Sequence, residues 1–257
     1  MSTALWLNNL DATALYGLRV AESPGARDLP SSRLDTVAIP DVPGLSLLAD
    51  PVIDARTITL VGALKGTTVD DVRTKRDALL AILRRGTVTL RLADAATREI
   101  DVRIVSAKIA TSGAQQLSRV FPITIETLAL SPYWRDRTPQ VVALSTTPAA
   151  LPLGTAPSLP LITIPSPGSV VVLTLRTTLA AEVTSLQLAG LEPGVPLLID
   201  CAARTIRQGA VSQIATLIRG DFPVLDSVTQ GDFAASAWPT LALSQGTGTI
   251  TYVRQWA

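Results

Sequence analysis

The sequence predicts a mainly β protein built from two domains, and three observations support this prediction. Short runs of alternating apolar and polar residues recur along the chain, which is the pattern of half-buried strands. One stretch, residues 68–86, has the spacing of an amphipathic helix. Charge density falls after residue 137, since residues 1–137 carry 17 Lys and Arg with 15 Asp and Glu, whereas residues 138–257 carry 5 and 6. We therefore expect domains at residues 1–137 and 138–257.

The first domain begins with short strands and a long connection. Residues 5–7 and 16–21 have strand patterns. Residues 24–51 contain five prolines and four aspartates among short apolar runs. A connection of this length and composition predicts an exposed arm, with a brief strand at residues 36–39. Residues 56–63 then alternate apolar and polar side chains and predict a strand that leads towards the helix.

The helix has a predicted start, buried face and stop. Thr68 is placed to cap its N-terminus, and Asp71 follows three residues later, which is a carboxylate version of the capping box. Gly86 is suited to the left-handed conformation that ends a helix. Five apolar residues fall on one helical face, which we expect to be buried: Val69, Val72, Leu79, Ile82 and Leu83.

Three further strands complete the predicted first domain. Residues 87–92 and 99–109 predict a hairpin, and residues 120–130 predict a third strand. A β-sandwich with one α-helix laid against it accommodates these elements.

A rigid aromatic segment follows the third strand. Pro132 fixes its own φ and ends the run, and Tyr133 and Trp134 supply two of the chain's few large rings. Because these residues lie at the change in composition, we expect Pro132, Tyr133 and Trp134 to form an inter-domain joint.

The second domain is predicted to contain strands and no helix. Eight short strands separated by Pro- and Gly-containing turns are typical of a β-sandwich or jelly roll. They fall at residues 159–164, 169–177, 184–188, 197–201, 205–206, 214–219, 240–243 and 249–256.

Composition argues against several classes of function. The chain has no His, which removes the usual general base and zinc ligand. A formal net charge of +1 gives no reason to expect specific nucleic-acid or membrane-surface binding. Mean hydropathy is +0.36, yet no run approaches the ~20 apolar residues of a membrane span. We expect no signal peptide, cofactor or metal site.

The residues that could carry chemistry have simpler structural interpretations. Asp70 and Asp71 belong to the predicted capping turn, and adjacent helical residues point in different directions. Cys201 ends an apolar strand and lacks the His partner that a nucleophilic thiol normally needs. Trp134, Trp238 and Trp256 could stack on sugars, but their wide separation favours packing roles.

Taken in order, several segments resemble the distal tail proteins of long, non-contractile-tailed bacteriophages. The resemblance covers nearly the whole chain and rests on the order and spacing of the segments. In one departure, residues 44–46 read Gly-Leu-Ser where similar proteins have a glycine-rich turn. The segments are residues 40–44 (Pro-Asp-Val-Pro-Gly), 56–62, 84–86 (Arg-Arg-Gly), 131–134 (Ser-Pro-Tyr-Trp), 154–160, 198–201 (Leu-Ile-Asp-Cys), 220–225 and 250–256.

This resemblance implies a structural protein and not an enzyme. It implies a first domain that forms a homo-hexameric ring and a galectin-like β-sandwich as the second domain. The ring would join the tail tube protein to a tail-associated hub or fibre protein at the tail tip of the virion, after assembly in the host cytoplasm. It would leave a channel through which DNA passes without being bound specifically. In similar proteins the last strand, here residues 249–256, can return to the first domain.

Two other classes of function remain open from the sequence. A carbohydrate-binding β-sandwich module used in host recognition would need exposed aromatic rings. A hydrolase would have to work without His.

Overall fold

The computed structural model describes residues 5–28, 32–33, 36–37, 46–47, 52–93, 97–110, 119–176, 183–225 and 239–257. The chain divides into two compact units, Met1–Trp134 with Ala257, and Arg135–Trp256. The mainly β fold predicted from the sequence is confirmed. Most of the predicted arm, residues 94–96 between the two predicted hairpin strands, and Trp238 lie outside the described residues.

The first unit contains a continuous antiparallel sheet, two helices and two short strand pairs. The sheet order is β2-β1-β9-β10-β11-β8-β3, so strands distant in sequence are neighbours. In chain order the elements are β1 (Leu5–Leu7), β2 (Leu10–Asp11), α1 (Ala12–Tyr16), β3 (Leu18–Glu22), β4 (Ser32–Arg33), β5 (Thr36–Val37), β6 (Ser46–Leu47), β7 (Val52–Ile53), β8 (Arg56–Lys65), α2 (Val69–Leu83), β9 (Thr87–Leu92), β10 (Arg98–Ile109) and β11 (Val120–Ala129).

One face of this sheet forms the core of the unit. Alternate residues of β8, β9 and β11 are buried, as the period-2 pattern predicts. The predicted hairpin of β9 and β10 is present, with Ile100 opposite Leu90. Helix α2 contacts β8, β10 and α1. Of its five predicted face residues, Val72, Leu79, Ile82 and Leu83 are buried, which fixes the helix on the sheet through apolar contact.

The prediction of a single helix in this domain was incomplete. Residues 12–16 form the short helix α1, where the sequence predicted the beginning of a strand at residue 16. Asp11 caps α1, accepting from the backbone N–H groups of Thr13 at 2.8 Å and Ala14 at 3.0 Å. Gly17 ends it in the left-handed conformation, with φ of 63°. A helix of five residues is too short to give a periodic signal.

The arm is represented by two short antiparallel strand pairs. Strand β4 pairs with β7, and β5 pairs with β6, including the first two residues of the brief strand predicted at 36–39. Among the described strands, these four pair only with one another and not with the large sheet. We call the four strands β4, β5, β6 and β7 the arm.

The second unit is a β-sandwich of a six-stranded and a five-stranded antiparallel sheet. Their orders are β13-β23-β15-β18-β19-β20 and β14-β22-β16-β17-β21. The elements are β12 (Trp134–Asp136), which begins in the first unit, and then β13 (Gln140–Leu144), β14 (Ala149–Ala150), β15 (Leu161–Ile164), β16 (Val170–Arg176), β17 (Val183–Ala189), β18 (Leu197–Asp200), β19 (Thr205–Gln208), β20 (Val211–Ser212), β21 (Leu217–Arg219), β22 (Thr240–Leu243), β23 (Gly248–Tyr252) and β24 (Gln255–Trp256).

Apolar side chains from both sheets form one core. Ile162 and Ile250 of the six-stranded sheet and Leu188 and Leu241 of the five-stranded sheet are each fully buried in it. Alternating strand residues supply this core, which explains why each of the eight ranges predicted from sequence contains a strand.

Two details of the second unit differ from the sequence predictions. The sequence predicted no strand between residues 138 and 158, but this segment contains β13, which pairs with β23 over five residues and is an integral part of the sandwich. Residues 214–216, predicted as the start of a strand, form a 3-10 turn before β21.

Candidate assembly site

The groups considered for catalysis are placed where they cannot react readily. Cys201 is buried, and burial, assisted by the charge of Asp200, raises the pKa of its thiol to about 12. The thiol is therefore protonated at neutral pH and is a poor nucleophile. The described part of the chain has no group of three or more His, Cys, Asp or Glu side chains placed to hold a metal ion. It also has no helix long and apolar enough to span a membrane.

Thr68 and Asp71 lie together at the start of α2. Thr68 has extended backbone, and its Oγ1 accepts from the backbone N–H of Asp71 at 3.1 Å. The Asp71 carboxylate reaches one residue further back than in a standard capping box, and accepts from the backbone N–H of Thr67 at 2.7 Å and from Lys75 Nζ at 3.0 Å. These bonds, led by the one from Thr67, lower the pKa of Asp71. Thr68 and Asp71 therefore have a structural role at the N-terminus of α2.

The root of the arm is a tight loop fastened to the beginning of β8. The carbonyl oxygen of Pro24 accepts from the backbone N–H of Thr59 at 3.0 Å. Gly25 has φ of 80°, and a side-chain Cβ there would collide with the carbonyl oxygen of Thr57. The other leg of the arm, β7, ends only two residues before β8 begins. Both legs are therefore held at the same end of β8.

A single carbonyl oxygen in this loop receives two side-chain donors. Arg56 Nη1 donates to the Ala26 oxygen at 3.1 Å, and Trp134 Nε1 donates to it at 2.9 Å. Ala26, Arg56 and Trp134 are all buried, at 3%, 4% and 6% exposure. A carbonyl oxygen has two lone pairs, so both bonds can form together. We call these three residues the Ala26 clamp.

Burying the charged guanidinium of Arg56 in the clamp carries a desolvation penalty. Its Nε and Nη2 have no hydrogen-bond partner among the described residues. Burial lowers the pKa of Arg56, and the negative charge of Asp28 partly offsets this effect. Because arginine remains charged even so, the clamp keeps a weakly compensated charge inside the protein.

Trp134 is the last residue of the first unit before the division of the chain, and its indole is bonded within that unit. Pro132 and Tyr133 are partly buried beside it in sequence. Their assignment as an inter-domain joint stays a prediction.

A second polar cluster holds the C-terminal strand in the second unit. Asp136 is 7% exposed. Its carboxylate accepts from Arg254 Nε at 2.6 Å and from Trp256 Nε1 at 3.0 Å. On the other side, the backbone N–H of Ala156 donates to the carbonyl oxygen of Gln255 at 3.0 Å. Strand β24 is thus held from both sides within this unit, and the return of residues 249–256 to the first domain stays a prediction.

The second face of the large sheet carries charged, polar and aromatic side chains that are partly exposed. Arg91 stacks over the ring of Trp6 at 4.3 Å from its centroid. Glu126 accepts from Ser106 at 2.8 Å and lies 3.7 Å from Lys108 Nζ. A shallow depression of about 520 Å³ lies between residues of β3, β8 and β11, including Arg19, Gly62 and Pro122. This combination is typical of a protein-contact surface and not of a catalytic cleft.

The described aromatic residues of the sandwich do not form a sugar-stacking platform. Phe222 and Tyr252 are buried at 9% and 2% exposure, and the Tyr252 hydroxyl donates to the carbonyl oxygen of Pro152 at 2.8 Å. Trp256 is held by Asp136. The exposed apolar residues of the six-stranded sheet, such as Val141 at 64%, are aliphatic.

No protein-family model and no curated protein sequence matches the chain. Solved structures do. The crystal structure of the Dit protein of phage SPP1, described as a paradigm of the hub adsorption apparatus of phages that infect Gram-positive bacteria, aligns with a TM-score of 0.76 and 17% identity, and the alignment covers 99% of each chain.

This chain has the Dit fold. The resemblance seen in the sequence predicted this fold, and the full-length alignment with SPP1 Dit confirms it. Two structures of the phage P2 baseplate in its activated conformation, with Ca and with Sr, align with TM-scores of 0.48 and 0.47, each at 10% identity over 98% of this chain and 97% of theirs. These two scores are too low to establish a shared fold by themselves.

Within this Dit fold, the helix cap was predicted from the sequence and the Ala26 clamp was not. Ala26 and Arg56 are separated by 30 residues and Ala26 and Trp134 by 108. No local pattern connects them. The one available signal was that Arg56 occupies an inward position of the alternating strand β8, where a charged side chain is unexpected.

Proposed function

We propose that this chain is a structural protein of a bacteriophage tail tip. In this proposal it forms a hexameric ring that joins the tail tube protein to a hub or fibre protein and leaves a channel for DNA. The observation that supports it most is the full-length alignment with SPP1 Dit, because the alignment includes both units and not one common sandwich domain. At 17% identity that alignment concerns the fold, so the ring, the partners and the virion location belong to the proposal.

The described surface is compatible with a non-enzymatic, assembling protein. Of the catalytic candidates, Cys201 is buried, Asp71 takes part in the helix cap, and the exposed Asp70 pairs with Arg73 at 3.4 Å. The described strands of the arm form two antiparallel pairs, β4 with β7 and β5 with β6. An isolated two-stranded pairing is at best marginally stable in water, so contact with another protein surface would stabilise it. In a closed ring each copy offers one surface to its neighbour and receives a different one, and an arm fits such a head-to-tail contact.

Sedimentation equilibrium of the purified chain tests the ring. We expect a species with the mass of six chains of 27.0 kDa, in exchange with monomer at low concentration. A monomer over the whole accessible concentration range would contradict the proposal.

The carbohydrate-binding alternative is tested separately by a glycan array. We expect no binding above background, because Phe222 and Tyr252 are buried and Trp256 is bonded to Asp136. Reproducible binding to one class of glycan would instead assign host recognition to the second unit.

A further inference from the structure

The Ala26 clamp combines three features that ordinary packing does not require. Two side chains from distant parts of the sequence converge on one loop carbonyl. One of them, Arg56, brings a buried charge, and its Nε and Nη2 have no hydrogen-bond partner within the part of the chain that the structure describes. The loop that they hold is the point where the arm departs from the core.

We propose that the Ala26 clamp sets the direction in which the arm leaves the first unit, so that the arm reaches a second copy of this chain. This inference rests on the proposed ring function for its choice of partner. Arg56 and Trp134 are then positioning residues: they contact the loop and act on the neighbouring copy only through it.

The energetics of Arg56 favour positioning over simple stabilisation. Replacing a buried, poorly compensated charge by an apolar side chain of similar size is often neutral or stabilising for a fold. If stability were the purpose, a methionine would serve at this position. A guanidinium instead adds a directional bond to the Ala26 oxygen, which an apolar residue cannot make.

Other contacts of the loop also restrict its conformation. The close approach of Gly25 to Thr57 and the bond from Thr59 to Pro24 fix the loop on the β8 side. The Arg56 and Trp134 bonds fix the next residue, Ala26, from within the core. Because the described arm strands pair only among themselves, the large sheet does not orient the arm by strand pairing.

Two substitutions remove one clamp bond each. Trp134→Phe keeps a six-membered aromatic ring and loses the pyrrole ring with its Nε1–H donor. Arg56→Met keeps a long, unbranched side chain and loses both the charge and the Nη1 donor. Arg207→Met, at an exposed position of β19 in the second unit, is the matched control.

Two measurements on the full-length chain are needed. Sedimentation equilibrium gives the concentration at which half of the chains are assembled, and thermal unfolding gives the stability. We expect each clamp variant to raise the half-assembly concentration about fivefold or more. A fivefold change corresponds to a loss of about 1 kcal/mol of association free energy, which is roughly the contribution of one hydrogen bond. We expect Arg56→Met to unfold no earlier than wild type, and Arg207→Met to behave as wild type in both measurements.

Unchanged assembly in both clamp variants would overturn the proposal. So would a loss of assembly that tracks a lower unfolding temperature in each of them, since the clamp would then be a stabilising contact alone.

A distance measurement separates failure of this inference from failure of the ring. Spin labels at Ser46→Cys in β6 and Val105→Cys in β10 report the direction of the arm, while the buried Cys201 stays unlabelled. In dilute monomer, we expect the wild-type distance distribution to shift or broaden in Trp134→Phe and in Arg56→Met. If the wild-type chain forms no ring, the proposed ring and the choice of partner are both wrong. The distance distribution still tests whether the clamp directs the arm. An unaltered distribution in both variants would show that the clamp does not direct it.

Discussion

At the scale of single residues, the cap of α2 shows how one hydroxyl and one carboxylate determine where a helix begins. Thr68 satisfies the N–H of Asp71, and Asp71 satisfies the N–H of Thr67. These donors would otherwise lack an intrahelical partner. Because α2 packs on β8 and β10, a weaker helix start should reduce the stability of the first unit.

We predict that Thr68→Ala lowers the free energy of unfolding of the first unit by about 0.5–2 kcal/mol through loss of the cap. Urea denaturation measures the change. Thr74→Ala is the control, since its exposed hydroxyl bonds back to the carbonyl oxygen of Asp70 and its loss should cost less than about 0.5 kcal/mol. Equal urea midpoints for Thr68→Ala and wild type would show that the cap contributes nothing.

Asp71 should make this helix start sensitive to acid. The pKa of Asp71 is lowered from its ordinary value of 3.8 in the folded state, so its charged form is favoured by folding. Its stabilising contribution is complete above pH 3.8 and is lost as the pH falls through the lower, folded-state pKa. We expect Asp71→Asn to be less stable than wild type at pH 7, and the difference to shrink below pH 3.8.

Urea midpoints measured from pH 7 downwards test this prediction for Asp71. Asp77→Asn, whose exposed carboxylate pairs with Arg76 at 2.8 Å, serves as control because surface ion pairs contribute little. A difference between wild type and Asp71→Asn that stays constant with pH would refute the assignment.

At the scale of elements, β24 depends on a residue far from it in sequence. Asp136 precedes Arg254 by 118 positions and Trp256 by 120, and binds both. Removing its carboxylate leaves two donors without their acceptor at a nearly buried position, where an unmade hydrogen bond is costly.

We predict that Asp136→Ala destabilises the second unit by about 1–3 kcal/mol and frees the C-terminus for faster digestion by carboxypeptidase. Asp221→Ala, an exposed aspartate of the same unit that bonds to its adjacent backbone N–H, should resemble wild type. Identical digestion rates for Asp136→Ala and wild type would show that β24 is held by its backbone pairing alone.

The elements that could be predicted from sequence are those with a periodic signal. Helix α2 buries helically spaced residues, and strands such as β8 and β11 bury alternate residues, over ten or more positions. Their hydrophobic pattern is therefore visible in the sequence whatever the details of tertiary packing. Helix α1 was missed because its evidence is a cap at Asp11 and a left-handed Gly17 around five residues. Strand β13 was missed because prolines at 139 and 148 on either side made its segment resemble a linker.

The candidate site was less predictable than the fold for a physical reason. Capping is local, so the Thr68 and Asp71 pair can be read from a spacing of three residues. The Ala26 clamp and the Asp136 cluster join residues 30 to 120 positions apart, and the tertiary fold alone creates them. A single sequence contains no periodicity that links such positions.

At the scale of the whole molecule, the two units should contribute differently to assembly. The first carries the arm and most of the charge, with both signs mixed. The sandwich has few charges and edge strands of two, three or five residues, and such short edges discourage edge-to-edge growth.

We predict that residues 1–134 alone form a ring and that residues 135–257 remain monomeric. The chain is divided after Trp134 because a cut after residue 137 would separate Asp136 from Arg254 and Trp256. Light scattering on the two fragments over a concentration series tests this division of roles. A monomeric first fragment together with an oligomeric second fragment would reverse the assignment.

Electron microscopy of the purified full-length chain tests the central claim most directly. The Dit fold and the arm lead us to expect closed rings with six-fold symmetry and a central hole wide enough for a DNA duplex. Class averages should show the same ring at several protein concentrations above the assembly threshold. Single particles of one chain, or open filaments without closure, would contradict the claim that this chain is a ring-forming tail-tip protein.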